Sequence, residues 1–384
     1  MEDKVLVLPG FLETTHGMLG CTGCHGGDGT ANDRALAHEG MNAKPSAGTD
    51  SICQRCHAAE VAAFPRALHV NLRGIIDLQA SEIALRANPT QLAALEEGLK
   101  NHCSACHTPT CGECHVSRPE TAGGGFVRGH QFLGTPNTVL NCTACHGSRV
   151  EREFMGKTPE EFGERLQPDV HWIQGQLQCV DCHTYNWFHR PEKPYRHRYD
   201  DLGTPRCEDC HRPDQEEFQR NEFHRVHAST DEAETTLLAC QVCHSQPYNN
   251  CWSCHVAKDA QGLPYFRTEA SEFTFKIGRN PLPSERRPYD YVVLRHIPVD
   301  PETFAYYGED VLSNFDALPT WKYATPHNIV RRAPQAETCS ACHGRPELFL
   351  RAVDIPAAEL PANQSVLVET VPGLELLTGE SRTP

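Results

Sequence analysis

The chain has 384 residues, a net charge of −15 and a hydrophobic fraction of 39%, which is low for a protein of this length. The acidic balance excludes nucleic acid as a partner, because contacts to phosphates need clustered basic side chains. So few apolar residues also argue against an ordinary hydrophobic core. We therefore expect a bound group to fill the core, and a fold that is mostly irregular, with short α-helices and little β-structure.

The predicted regular elements are few and widely spaced. Residues 91–99 are good helix formers that follow the capping residue Thr90, which predicts a helix. The polar stretch over residues 214–228 also favours a helix, and residues 289–296 have the composition of a strand. No stretch has the run of about twenty apolar residues that a membrane-spanning helix needs, so we expect no transmembrane segment in this sequence.

Ten Cys-x-x-Cys-His motifs extend along the chain and use all twenty of its cysteines. The cysteines are Cys21 and Cys24, Cys53 and Cys56, Cys103 and Cys106, Cys111 and Cys114, Cys142 and Cys145, Cys179 and Cys182, Cys207 and Cys210, Cys240 and Cys243, Cys251 and Cys254, and Cys339 and Cys342. The histidines that end the motifs are His25, His57, His107, His115, His146, His183, His211, His244, His255 and His343.

This motif is the signature of covalent attachment of a c-type haem. Two thiols about one helical turn apart can add to the two vinyl groups of one haem, and the following histidine then becomes the proximal ligand of the iron. Zinc sites and disulfide frameworks are the alternatives, but neither places every cysteine in one pentapeptide that ends in histidine. The sequence therefore predicts ten covalently attached haem c groups and no disulfide.

Twelve of the 22 histidines remain when the ten motif histidines are set aside, whereas the chain has only four methionines. We therefore expect a second histidine on almost every iron, and low reduction potentials, because methionine ligation raises the potential. The distal candidates are His16, His69, His102, His130, His171, His197, His224, His227, His296 and His327. We rank His38 and His189 lower, because neither has a recurring distance to a motif.

Three spacings suggest how the distal candidates are used. His102 directly precedes the third motif and is too close to reach over the haem attached there, so we expect it to ligate a neighbouring haem. His130 and His327 each precede a motif by twelve residues, which predicts one shared role. His224 and His227 lie three residues apart on one face of the predicted helix and could serve two haems.

Motif spacing divides the chain into three predicted segments. Residues 1–255 hold nine motifs, residues 256–338 are rich in aromatic residues and proline and supply distal histidines, and residues 339–384 hold the tenth motif and the tail. Only three residues separate His107 from Cys111, and six separate His244 from Cys251. The two haems of each such pair must be neighbours, because so short a segment spans little distance.

The motif set, the histidines before the motifs and the expected double histidine ligation resemble multihaem c-type cytochromes of the class III type and their larger periplasmic and extracellular relatives. Those relatives include cytochromes that polymerise into nanowires, and the resemblance covers residues 16–343. It implies electron transport in anaerobic or extracellular respiration, with redox proteins, a membrane complex or further copies of the chain as partners. Decahaem conduits threaded through porins have more even motif spacing, so the long segment over residues 256–338 counts against that version.

Two functions remain open. The first is electron transfer without an enzymatic reaction, and we expect this one, because irons with six ligands are closed to substrates. The second is a multihaem reductase of nitrite, hydroxylamine or a sulfur oxyanion, which needs at least one iron with an open position. Haem attachment outside the cytoplasmic membrane calls for a signal peptide, and residues 1–4 do not begin one, so we expect this sequence to start after a cleavage site.

Overall fold

The structure is a computed structural model that describes residues 7–47, 51–71, 88–103, 110–157, 166–189, 194–195, 199–200, 203, 205–227, 237–269 and 271–373. The predicted site residues Cys106, His107 and His197 lie outside the described residues. Helices make up 40% of the fold and strands 11%, and loops connect elements that are mostly short. The expectation of irregular structure with short helices is confirmed at this coarse level.

Most helices are one or two turns long. The α-helices are Gly20–His25, Arg34–Ala37, Ala58–Ala63, Leu68–Asn71, Pro89–His102, Cys111–His115, Thr143–His146, Arg152–Met155, Val170–Ile173, Cys179–Cys182, Tyr185–His189, Cys207–Cys210, Glu216–Gln219, Glu222–His227 and Cys240–His244. The 3-10 helices are Phe11–Glu13, Gly17–Leu19, Ile52–Arg55, Phe64–Arg66, Glu120–Ala122, Phe315–Ala317, Pro334–Ala336, Cys339–Ala341, Pro346–Leu348, Ala352–Asp354 and Pro361–Val366. Two π-helical turns, Thr138–Cys142 and Gly147–Glu151, flank the helix Thr143–His146.

Two helix predictions have different outcomes. The helix predicted over residues 91–99 is confirmed and extends over Pro89–His102. The polar stretch over residues 214–228 contains two helices, Glu216–Gln219 and Glu222–His227, where one was expected. Asn221 separates them, because its side-chain oxygen accepts the main-chain N–H of Phe223 at 2.9 Å and so starts the second helix.

All described strands lie between residues 248 and 323. Strands β1 (Tyr248–Asn249) and β4 (Phe273–Thr274) form one antiparallel pair, and β2 (Cys254–Lys258) and β3 (Pro264–Thr268) form a hairpin. Strands β5 (Lys276–Arg279), β6 (Tyr291–His296) and β7 (Trp321–Tyr323) form an antiparallel sheet in the order β5-β6-β7. Strand β6 confirms the strand predicted over residues 289–296.

The chain divides into two compact units. The first unit comprises Met1–Asp77, Cys103–Ser148 and Gln178–Thr204, and the second comprises Leu78–His102, Arg149–Leu177 and Pro205–Pro384. The second unit has an apolar core in which Ile277, Val292, Val293 and Leu294 of the three-stranded sheet are almost fully buried. In the first unit, the buried apolar side chains among the described residues are only Ala63, Ala67, Val116 and Tyr195.

No described helix combines the length and the apolar character that crossing a bilayer requires.

Candidate metal-ligand sites

Eight of the nine motifs with both cysteines in the described part of the chain adopt an α-, π- or 3-10-helical turn there. The helix Gly20–His25 contains all of the first motif, and Cys111–His115 and Cys240–His244 do so for the fourth and eighth motifs. Residues three apart lie on one face of a helix, so each such turn brings its two thiols to the same side. The motif histidine stands at the end of that turn.

Acidic residues inside three motifs start these short helices. The side chain of Glu113 accepts the N–H of Thr110 at 2.8 Å, that of Asp181 accepts the N–H of Gln178 at 2.6 Å, and Asp209 accepts the N–H of Arg206 at 2.8 Å. In every case the acid precedes the second cysteine and reaches back to the residue before the first. This contact supplies half of a capping box, a role for the variable motif positions that the sequence analysis did not foresee.

The structure brings histidines together in seven pairs of facing rings. Each pair joins one motif histidine to one histidine from outside the motifs, and no residue is used twice. The ring-centre distances are 6.3 Å for His16–His57, 6.0 Å for His25–His130, 6.2 Å for His69–His146, 5.9 Å for His115–His189, 6.1 Å for His171–His211, 6.0 Å for His224–His244 and 6.0 Å for His227–His343.

These distances fit a metal ion between the two rings. A metal–imidazole bond is about 2.0–2.1 Å long and the ring centre lies about 1.2 Å behind the nitrogen, so two imidazoles on opposite sides of one metal have centres roughly 6.4 Å apart. Two imidazoles joined by a hydrogen bond would have centres roughly 5.3 Å apart. The observed distances of 5.9–6.3 Å are closer to the first arrangement.

Main-chain carbonyls fix the orientation of several of these rings. Nδ1 of His25 lies 2.7 Å from the carbonyl oxygen of Asn42, and Nδ1 of His115 lies 2.7 Å from that of Leu133. Nδ1 of His244 lies 3.1 Å from the carbonyl oxygen of residue 330, and Nδ1 of His227 lies 3.0 Å from that of residue 223. An N–H group donated from Nδ1 leaves Nε2 as the unprotonated nitrogen that can bind a metal.

In two of the pairs, the surroundings of one ring favour its neutral imidazole form. Burial lowers the pKa of His16, and the neighbouring His57 lowers it further. Burial and the neighbouring His244 lower the pKa of His224 in the same way. At neutral pH both rings are therefore in the uncharged form that ligates metals.

Thiols of different motifs meet in three places. Hydrogen bonds join Cys53 to Cys111, Cys142 to Cys179, and Cys207 to Cys240, and each of these six residues is the first cysteine of its motif. In each pair the shared hydrogen bond lowers the pKa of one thiol, namely Cys53, Cys179 or Cys207. None of the nineteen cysteines in the described part of the chain is in a disulfide.

Three distal candidates are not placed opposite a motif histidine. His38 is exposed, and its Nδ1 lies 2.7 Å from the carbonyl oxygen of Arg34. Nε2 of His102 lies 2.7 Å from the hydroxyl of Tyr307, and Nε2 of His296 lies 2.9 Å from Oε2 of Glu359. In contrast, His189 shared the low ranking of His38 but lies in one of the seven pairs.

The contacts shown for two other histidines, His183 and His327, are of a different kind from the ring pairs. The ring of His183 lies 4.7 Å from that of Trp187, and the main-chain N–H of His327 donates to Oε2 of Glu153 at 2.9 Å. His130 and His327 were expected to share a role because of their equal spacing. The structure places His130 beside His25 of the first motif, so that spacing does not direct it to the motif that follows.

The ninth motif differs from the others in backbone and in surroundings. Cys254 and His255 begin strand β2 and have an extended backbone. Nε2 of His255 lies 3.1 Å from Oδ2 of Asp300 and 3.3 Å from Oε1 of Glu269. Neither carboxylate was singled out in the sequence, because each lies far from the motif along the chain.

Comparison with protein-family models, with characterised proteins and with solved structures finds no match for this chain.

Proposed function

We propose that this chain is an electron-transfer protein that carries ten covalently attached haems, most of them with histidine on both sides of the iron. The observation that carries the proposal is the set of seven facing histidine pairs, each with one motif histidine. A motif that supplies two thiols and one ring would attach the haem and hold its iron from one side. The partner ring would hold the iron from the other side.

The small number of buried apolar side chains described in the first unit supports the proposal of bound haems. Among its described residues, the four buried apolar side chains, two of them alanines, bury too little surface to offset the entropy of ordering the chain. Six of the ten motifs begin in this unit. Large flat macrocycles attached to those cysteines would supply the missing apolar surface.

The thiol contacts support transfer from haem to haem. Haems attached through Cys53 and Cys111 would have neighbouring edges, and the same holds for Cys142 and Cys179. Histidine on both sides of an iron leaves no position for a substrate, so these sites suit transfer of electrons and not chemical conversion. The haem chemistry supplies the redox step, while the chain fixes ligands, spacing and exclusion of water.

The physiological setting follows from the attachment chemistry. We propose that the protein works in the periplasm or at the cell surface, in anaerobic or extracellular respiration. It would take electrons from one redox protein and pass them to another, to a membrane complex or to copies of itself in a filament. His38 is exposed and not part of a described pair, and is therefore a described histidine that a filament contact could use.

The first test counts haems in protein produced with the haem-attachment machinery. We expect ten haem masses in the intact protein, thioether-linked peptides for each motif, and a ferric spectrum dominated by low-spin iron. Reduction should occur mainly at negative potentials. A protein that contains zinc or disulfides instead, or that has no thioether-linked peptide, would contradict the proposal.

A second test compares two histidines that sequence spacing ranked equally. His189→Gly should convert one low-spin iron to high-spin iron, because it removes the ring 5.9 Å from His115. Added imidazole should restore the low-spin signal. His38→Gly is the matched control and should leave the spectrum of the isolated protein unchanged. Equal spectra for the two variants would show that the facing pairs are not ligand pairs.

A further inference from the structure

One short helix of the second unit carries two of the paired histidines. His224 and His227 stand three residues apart on the helix Glu222–His227, and both are half-buried. His224 faces His244 of the eighth motif, whereas His227 faces His343 of the tenth. No other described helix carries two histidines that face different motifs. This helix therefore lies between two motifs that are far apart along the chain.

The spacing of the two histidines limits the distance between the irons that they would hold. Side chains three residues apart on a helix have Cβ atoms about 5–6 Å apart. An iron bound through Nε2 lies roughly 5.7 Å from the Cβ atom of its histidine, because the metal–nitrogen bond adds about 2.1 Å to the length of the side chain. The two irons would therefore be at most roughly 17 Å apart, even with the rings pointing in opposite directions.

A buried glutamine also ties the eighth and tenth motifs together. Gln335 lies four residues before Cys339, the first cysteine of the tenth motif, and is only 9% exposed. Its amide nitrogen donates to the carbonyl oxygens of Val242 at 3.1 Å and Ser245 at 2.8 Å. Val242 lies inside the eighth motif, and Ser245 directly follows it. Because losing buried hydrogen bonds is costly, this side chain holds the start of the tenth motif against the eighth.

The seventh motif adjoins the eighth through its first cysteine. Cys207 and Cys240 share a hydrogen bond, and Nε2 of Gln241 lies 3.8 Å from Sγ of Cys207. Each of these two sulfur atoms would be bonded to the edge of a macrocycle. Their contact therefore places the edges of two haems side by side, and the iron of the seventh motif would lie between His171 and His211.

We propose that the irons of the seventh, eighth and tenth motifs form a row with the eighth in the middle, and that the helix Glu222–His227 holds the eighth and tenth irons together. This inference rests on the proposed function, since it requires haems at these three motifs. An electron that passes between the ends of the row would first reduce the ferric eighth iron and then leave it, so that one electron and no proton moves at each step. The row omits the ninth motif, although that motif follows the eighth in the chain.

The test measures distances between irons in the full-length protein with its haems attached. Replacing a ligand histidine by glycine opens one iron to nitric oxide. Ferrous iron with nitric oxide has one unpaired electron, whereas ferrous iron between two imidazoles has none. Three double variants open two irons each, namely His171→Gly/His224→Gly, His224→Gly/His227→Gly and His171→Gly/His227→Gly. Electron paramagnetic resonance of the reduced variants with two equivalents of nitric oxide gives the distance between the two unpaired electrons.

We expect the longest of the three distances in His171→Gly/His227→Gly, because this variant opens the two ends of the row. The distance in His224→Gly/His227→Gly should be at most roughly 17 Å. If either of the other variants has the longest distance, or if the two irons served by the helix are clearly farther apart than this limit, the inference is overturned. Electron transfer through bound haems would still stand in that case.

Two controls separate this inference from the proposed function. Imidazole, present during production to fill the opened positions and removed before the measurement, keeps the variants folded. The wild-type protein with two equivalents of nitric oxide should show no pair of coupled electrons. Double variants in which every iron stays low-spin would show that the facing rings are not ligands. That result, or the absence of a thioether-linked haem at Cys207, Cys240 or Cys339, would contradict the proposed function itself.

Discussion

Oδ1 of Asp169 lies 2.8 Å from Nδ1 of His171, in a contact that orients the ring toward His211. The same carboxylate accepts the N–H of His171 at 2.8 Å, and its second oxygen accepts the N–H of Ile329 at 2.8 Å. Asp169 is only 2% exposed. The hydrogen bond raises the pKa of His171 despite the opposing effect of burial. A carboxylate behind a ligating imidazole makes the ring a stronger donor to the metal.

Asp169→Asn should therefore raise the reduction potential of the iron between His171 and His211. Asparagine remains a good helix cap, but its amide nitrogen cannot accept the N–H of Ile329, so we also expect a loss of stability of about 1–3 kcal/mol. We expect a shift of roughly 60 mV, which corresponds to a tenfold change in a one-electron equilibrium. A redox titration of the variant against the wild-type protein measures it.

The control for that titration is Asp181→Asn. Asp181 also stabilises a helix start, as the third residue of the helix Cys179–Cys182 that accepts the N–H of Gln178, but it makes no hydrogen bond to a described histidine. The reduction potentials of this variant should match those of the wild-type protein. If both variants shift the titration equally, the effect comes from lost surface charge and not from the contact between Asp169 and His171.

The sequence was sufficient for features that depend on local spacing. The helix Pro89–His102 and strand β6 were predicted because their residue patterns determine them. The partner of each ring could not be predicted. His25 faces His130 and His227 faces His343, and these residues are far apart along the chain and meet only through the tertiary fold. Equal spacing before a motif carries no information about such a contact.

The two carboxylates beside the ninth motif could not be predicted from the sequence for the same reason. Glu269 reaches His255 through the β2-β3 hairpin, and Asp300 does so through a turn that follows strand β6. Acidic residues are common in this chain, so neither one stands out in the sequence. His296, predicted as a distal ligand, lies with its Nε2 against Glu359, a contact that the sequence did not indicate either.

A buried ion pair near the ninth motif should contribute strongly to the stability of the second unit. Nη2 of Arg295 lies 2.5 Å from Oε1 of Glu153, and the two side chains are 5% and 1% exposed. Burial raises the pKa of Glu153 and lowers that of Arg295, while each partner's charge opposes the shift. Arg295→Met would leave a buried carboxylate without its partner, at a cost of about 3–5 kcal/mol in the free energy of unfolding.

Chemical denaturation, monitored through hydrogen exchange in strand β6, measures that loss in the free energy of unfolding. The double variant Arg295→Met/Glu153→Leu should recover much of it, because no charge then remains buried. The exposed pair Arg220–Glu216, with both side chains 76% exposed, supplies the control. Arg220→Met should change stability by less than about 1 kcal/mol. A single variant at Arg295 that is as stable as this control would contradict the argument.

The contact between Glu359 and His296 should make stability depend on acid pH. Burial alone would raise the pKa of Glu359, but hydrogen bonds from His296 and Thr320 bring it below its usual value. A lowered carboxyl pKa stabilises the folded state above the unfolded value of about 4.3, and this contribution disappears as pH falls through the folded value. The difference in unfolding free energy between wild type and Glu359→Gln should therefore be constant at pH 5–6 and shrink below about pH 4.

Thermal or urea unfolding at a series of pH values tests this dependence. Glu347→Gln is a suitable control, because Glu347 is 61% exposed and pairs only loosely with Arg345, at 3.4 Å. Its stability difference from the wild-type protein should be small throughout. A difference for Glu359→Gln that grows toward low pH would reverse the assigned sign and exclude this contact as the cause.

The two units should respond differently when the chain is made without haem. The second unit has the buried sheet residues Ile277, Val292 and Leu294, whereas the part of the first unit that the structure describes has few buried apolar side chains. A protein whose core is a bound group folds only when that group binds. We expect amide hydrogens of residues 276–296 to exchange slowly in both forms. Those of residues 111–117 and 137–146 should be protected only in the haem-loaded protein.

Hydrogen exchange with mass spectrometry on the full chain measures this, using cytoplasmic expression without the attachment machinery as the haem-free source. Strand β6 is the internal control, since its protection reports that the second unit is folded in both samples. Equal protection of residues 137–146 in the two forms would mean that the first unit is stable with its own side chains. The histidine pairs His69–His146 and His115–His189 would then be held by protein packing, and the argument that haems form this core would fail.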